Sequence, residues 1–111
     1  MEIKITKTDS LNHISFVGTF DAASCKQART LLGELSIEEK SSYVCSLKEV
    51  DFIDSSGLGV LVGFLKRVRA QNGFVSLIEL TPSTRKLFEL TQLDKVFNIH
   101  EDLSAAKAEH E

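Results

Sequence analysis

Two adjacent serines, Ser55 and Ser56, follow Asp54 and precede Gly57 and Gly59 in the stretch DFIDSSGLGVLVGF, residues 51–64. A serine hydroxyl supports two chemistries. It attacks a substrate as a nucleophile, or it accepts a group that another protein delivers. The first needs a base in reach, usually histidine. His13, His100 and His110 all lie far from the turn in sequence and read as surface residues. The chain has no G-x-S-x-G elbow and no G-x-x-x-x-G-K-[ST] loop, and it shows no pair of catalytic carboxylates. An enzyme, for example a hydrolase using Ser55 or Ser56, therefore has nothing further to support it.

The second chemistry suits the place. An apolar run ends before the turn and a helical repeat begins after it, so the serines stand at a helix start. Backbone N–H groups there have no partner within the helix. A phosphate on Ser55 would meet those amides and the positive end of the helix dipole. It would add roughly −1.5 to −2 charge beside Asp54. A plainer role competes: Asp54 or Ser55 caps the helix, since both residue types are good caps. Gly57 and Gly59 each weaken a helix by about 1 kcal/mol relative to alanine. Capping does not explain that cost. Close approach of a partner explains it, and so does close internal packing.

The elements that hold this turn follow from the hydrophobic pattern. Ile3 and Ile5 alternate with polar residues, which predicts an edge strand over Glu2–Thr8. Asp9-Ser10 and Asn12-His13 carry turn chemistry. HISFV, residues 13–17, predicts a second strand that Gly18 ends. Ala22, Cys25, Ala28, Leu31, Leu32 and Leu35 recur at helical spacing behind Asp21, a plausible N-cap. SIEEKSS reads as a loop. YVCSL, residues 43–47, predicts a strand buried on both faces, with DFIDSSG bridging it to the next helix. Leu58, Leu61, Leu65 and Val68 set that helix, and Lys66, Arg67 and Arg69 cluster at its negative end. FVSLIEL predicts another strand. Pro82 opens a helix over PSTRKLFELTQL. Residues 96–99 predict the last strand, and residues 102–109 a final amphipathic turn or helix before a charged tail. Strands and helices alternate, which indicates an α/β domain with right-handed crossovers.

Composition narrows the class. The chain has 111 residues, 42% of them hydrophobic and 26% charged, as expected of one soluble domain. Its formal net charge is −3, and its one basic run is Lys66-Arg67-Val68-Arg69, which argues against nucleic-acid binding. The N-terminus lacks the apolar stretch of a signal peptide, and no run nears the ~20 apolar residues that cross a membrane. The expected setting is the cytoplasm. Cys25 and Cys45 lack metal-ligand spacing and are assigned neither to a disulfide nor to a metal. Cys45 reads as a small core residue.

At these residues the sequence resembles the STAS domain family, and within it the small bacterial anti-sigma factor antagonists. The resemblance runs through VGTFDAAS, VCSLKEVDFIDSSGLGVLVGFLKRVRAQNG and LTPSTRKLFELTQLDKVFNI, nearly the whole chain. It implies one STAS domain over residues 1–111, ending in a loose charged tail. The implied fold is a small mixed β-sheet of four to five strands with about four helices. It also implies a switch. The unphosphorylated antagonist binds an anti-sigma factor that is also a serine kinase, and so frees a sigma factor. The kinase phosphorylates the serine after the Asp, and a serine phosphatase reverses this. Carried over, Ser55 is the phosphoacceptor, with Asp21, Asp54, Ser56 and Gly57 in the partner surface. No cofactor, metal, direct nucleic-acid contact or membrane insertion is implied.

Two positions depart from the family pattern. Thr19-Phe20 stands where many members carry an acidic residue and Leu, so Phe20 is expected to reshape the partner surface. Ser46 stands where Asp or Asn is common. A second reading keeps the fold but makes the domain a non-switching scaffold in a larger signalling or transport assembly. That scaffold would bind through exposed Phe20, Leu87 or Phe88.

Overall fold

The computed structural model describes residues 1–8 and 11–110. The chain runs β1 (Glu2–Thr8), β2 (Leu11–Phe20), α1 (Ala22–Gly33), β3 (Ser42–Ile53), α2 (Ser55–Ala70), β4 (Phe74–Ile78), α3 (Pro82–Leu90), a short 3-10 turn (Leu93–Lys95), β5 (Asn98–His100) and α4 (Leu103–His110). The alternation expected from the sequence is present, with Asp21 capping α1 and Pro82 opening α3. The Asp9-Ser10 turn lies outside the described residues, and Asn12-His13 belong to β2.

The five strands form one mixed sheet in the order β1-β2-β3-β4-β5. β1 and β2 are antiparallel, and every other neighbouring pair is parallel. Alternation along the strands divides the core. Ile14, Phe16, Cys45, Leu47 and Leu77 join Cys25, Leu32, Leu61, Phe64 and Phe88 in one cluster, which unites α1, α2 and α3 against one face. Leu11, Val44 and Ile78 meet Ala106 of α4 in a second, smaller cluster. Burial pushes the Cys45 thiol up to about 12, so this cysteine is inert packing.

Two expectations are corrected. Gly18 does not end β2. It takes φ +112° at an irregularity in the β2–β3 ladder, and the strand resumes through Phe20. Glycine accepts that backbone without strain. β3 likewise does not stop at Leu47 but pairs with β2 through Ile53. β4 leaves the ladder after Ile78, so the far half of β3 borders β2 alone. Lys48, Glu49, Asp51 and Phe52 are exposed there, and the apolar run that marks a buried strand is missing. The β2–β3 extension carries the serine turn past the end of β4.

Candidate functional site

Asp54 leaves β3 and caps α2. Its N–H donates to the Phe20 carbonyl at 3.1 Å, and its Oδ1 accepts from the Gly57 N–H, also at 3.1 Å. The plain alternative is thereby divided between the two residues. Asp54 does the capping, and Ser55 is the first helical residue, exposed and not used as a cap. Ser56 is half-buried.

The glycines separate in the same way. A Cβ on Gly57 would lie 2.8 Å from both the Phe20 ring and the Phe20 carbonyl, and 2.9 Å from Ile53 Cγ1. Gly57 is buried, and internal packing explains it. The partner-facing position expected for Gly57 is corrected accordingly. A Cβ on Gly59 would meet nothing within 4 Å. Gly57→Ala is expected to destabilise the protein by about 1–3 kcal/mol through overpacking. Gly59→Ala is expected to stabilise it by about 0.5–1 kcal/mol through helix propensity. Urea denaturation checks both; effects of the same sign would contradict this division.

Phe20 is also corrected. It is 0% exposed, with its ring 5.3 Å from that of Phe16, and it offers no surface to a partner. It shapes the site from beneath, as the floor under Gly57. Phe88 is buried against Phe97, and Leu87 is half-buried. The large exposed apolar side chains nearest these expectations are instead Phe52, 54% exposed, and Leu90, 73% exposed. Ser46 is buried and donates to Glu79 at 3.0 Å, so it serves the sheet.

A second capped helix starts beside the first. Asp21 accepts from the Ser24 N–H at 3.0 Å, while the Asp21 N–H donates to Ser24 Oγ at 3.0 Å. The Ser24 backbone bond leads the interactions that hold the Asp21 carboxyl below its ordinary value. Ser24 Oγ also donates to the Thr19 carbonyl, and Thr19 Oγ1 donates to Asp51 at 3.0 Å. Cys25 Sγ donates to the Ser56 carbonyl at 3.3 Å, which ties the first turn of α1 to that of α2. Arg29 Nη2 donates to the same sulfur at 3.5 Å. Sequence reasoning missed Cys25 and Arg29. Their i, i+4 spacing places them on one face of α1, but only the fold shows that this face meets α2.

Neither His13 nor His100 serves the turn. His13 lies seven residues before Phe20 along β2, roughly 20 Å away at strand rise. His100 is level with Ile78 and Ser46, again seven residues short of Ile53 and roughly 20 Å away. Both are half-buried. Among the described residues, no three His, Cys, Asp or Glu side chains converge as a metal site would require. No described helix is long and apolar enough to cross a membrane.

Two Asp-capped helix starts thus stand at one end of the mixed sheet, with an exposed serine at the head of the second. The STAS domain family model matches residues 2–106. The chain belongs to the STAS domain family. This STAS domain is 32% identical over 99 residues to the anti-sigma-B factor antagonist of Listeria monocytogenes, covering 89% of this chain and 86% of that one. Its fold matches the crystal structure of a putative anti-sigma factor antagonist from Thermotoga maritima. The TM-score is 0.85 at 21% identity, covering 96% of this chain and 92% of that one. It also matches the Bacillus cell-fate determinant SpoIIAA in its phosphorylated form. The TM-score is 0.68 at 20% identity, over 96% of this chain and 98% of that one. The STAS fold expected from the sequence, with five strands and four α-helices among the described residues, is the fold found.

Proposed function

We propose that this STAS domain is a phosphorylation-gated anti-sigma factor antagonist of the bacterial cytoplasm, and that it is not an enzyme. In its unmodified form it binds an anti-sigma factor that is also a serine kinase, and a sigma factor is released to act in transcription. The kinase then transfers the γ-phosphoryl group of ATP to Ser55. The Ser55 Oγ–P bond forms, the bond between γ-phosphorus and the bridging oxygen breaks, and ADP leaves with that oxygen. The kinase supplies the base that takes the hydroxyl proton. The modified protein is released, and a serine phosphatase resets it.

The observation that carries this reading is Ser55 itself, exposed at the head of α2 with the capping done by Asp54. The names of the relatives support the class of partner. The SpoIIAA structure supports a phosphate on this fold. Asp21, Asp54 and Ser56 flank Ser55 and fall within the proposed contact, which would favour a basic partner surface over the turn.

The exposed Phe52 and Leu90 support the alternative, a scaffold that binds constitutively. Paired capture from the native cytoplasm separates the two, with Ser55→Ala and Ser55→Asp as baits and mass spectrometry as readout. The switch predicts an ATP-binding, kinase-type protein held by the Ala bait and lost from the Asp bait. Identical captures would establish the scaffold.

A further inference from the structure

A slot separates α1 from α2 just below the turn, with Arg29 and Gly33 on one wall and Gly59 and Gly63 on the other. Ser55, Gly59 and Gly63 recur every fourth residue and so line up along one exposed face of α2. A Cβ at Gly59 or at Gly63 would meet no atom within 4 Å. Packing therefore does not require glycine there, although each glycine weakens the helix relative to alanine. What the row provides is a gap free of side chains, running from Ser55 into the slot.

Arg29 borders that gap. Its side chain runs back toward the N-terminus of α1, as helical side chains do. Its guanidinium rests on Cys25 Sγ, and Cys25 in turn donates to the carbonyl of Ser56. The cation therefore sits two contacts from the residue next to Ser55. A neutral thiol is a weak acceptor, and Arg29 is exposed, so little holds it in place. The slot's second arginine is already engaged: Arg67 donates to the Leu32 and Leu35 carbonyls at 2.6 and 2.9 Å and ties down the end of α1.

We propose that Arg29 is the intramolecular receptor for a phosphate on Ser55. On modification the guanidinium leaves the Cys25 thiol, crosses the gap beside Gly59 and pairs with the phosphate dianion. The planar fork of arginine matches two phosphate oxygens at once. An aspartate at position 55 is shorter and carries less charge, so it reproduces the contact poorly. The inference rests on the reading of Ser55 as the modified residue.

The test uses the full chain with phosphoserine installed at position 55 during translation, so that no kinase is needed. Phosphorus NMR then follows the second ionisation of the phosphate, ordinarily near pH 6. A neighbouring cation favours the dianion and lowers that pKa, so Arg29→Gln is expected to raise it by about half a unit. Gly59→Leu keeps the charge but fills the gap, and is expected to raise it similarly. Lys26 lines the outer face of α1, so Lys26→Gln is expected to leave the titration in place. Equal titrations with and without Arg29 would overturn the proposal. So would a Lys26→Gln shift as large as that of Arg29→Gln, which would mark a general field. An Arg29→Gln shift without a Gly59→Leu shift would overturn the route past Gly59. Thermal melts confirm that each variant is folded; all three mutated sites are open to solvent. Because the phosphate is installed directly, failure here leaves the capture experiment standing, and failure there leaves this contact measurable.

Discussion

Phe20→Ala is expected to lower the free energy of unfolding by about 3–5 kcal/mol, the range for a buried phenylalanine truncated in a core. The ring is fully buried and packs on Phe16. It also comes within 2.8 Å of where a Cβ of Gly57 would lie, so its loss opens a cavity directly under the first turn of α2. A domain of this size has about 5–15 kcal/mol in total, so much of its margin would go. Urea denaturation should show the midpoint falling while the slope is kept, because the surface exposed on unfolding hardly changes. Amide exchange should rise first at the head of α2. The main-chain bond from Asp54 N–H to the Phe20 carbonyl survives the substitution, so the turn loosens but is not cut loose. A docking residue would behave in the opposite way, with partner binding lost and stability kept. That result would overturn the placement of Phe20 beneath the site.

Much of this was legible in the residues, and the misses have physical causes. The alternation of strands and helices was readable because each buried face repeats at its own period. The serine turn was readable because caps, hydroxyls and glycines concentrate at a strand-to-helix junction. The identity of the cap was not, since Asp54 and Ser55 are both good caps and only the Gly57 N–H chooses between them. Phe20 was misjudged because it follows Gly18 and Thr19 and precedes Asp21, which is the pattern of a loop. A glycine with positive φ inside β2 carries the strand onward and turns that ring inward. The far half of β3 was hidden because it loses one neighbour and shows its polar residues. The Cys25–Ser56 link joins residues 31 apart and depends on how two helices lie side by side, which no local pattern encodes.

Phosphorylation of Ser55 is expected to weaken partner binding at least a hundredfold, equivalent to about 2.7 kcal/mol, without destabilising the protein. The two halves of this expectation have separate causes. Within the chain, the phosphate joins a helix N-terminus, where unpaired amides and the dipole favour an anion. The melting temperature should therefore hold or rise. Across an interface, a dianion beside Asp54 and near Asp21 must be desolvated against a surface that was complementary to a neutral hydroxyl. An unpaired buried charge of that kind costs several kcal/mol. Ser56 provides the control. It is half-buried and its carbonyl is held by Cys25, so Ser56→Asp should lower the melting temperature as well as binding. The measurement is a titration of the captured kinase-type partner against unmodified and phosphoserine-55 protein, with a melt of each. Weakened binding with an intact melt identifies Ser55 as a switch on the interface. Weakened binding with a collapsed melt would make it a structural residue. An unchanged affinity would pass the binding role to exposed apolar side chains such as Phe52 and Leu90.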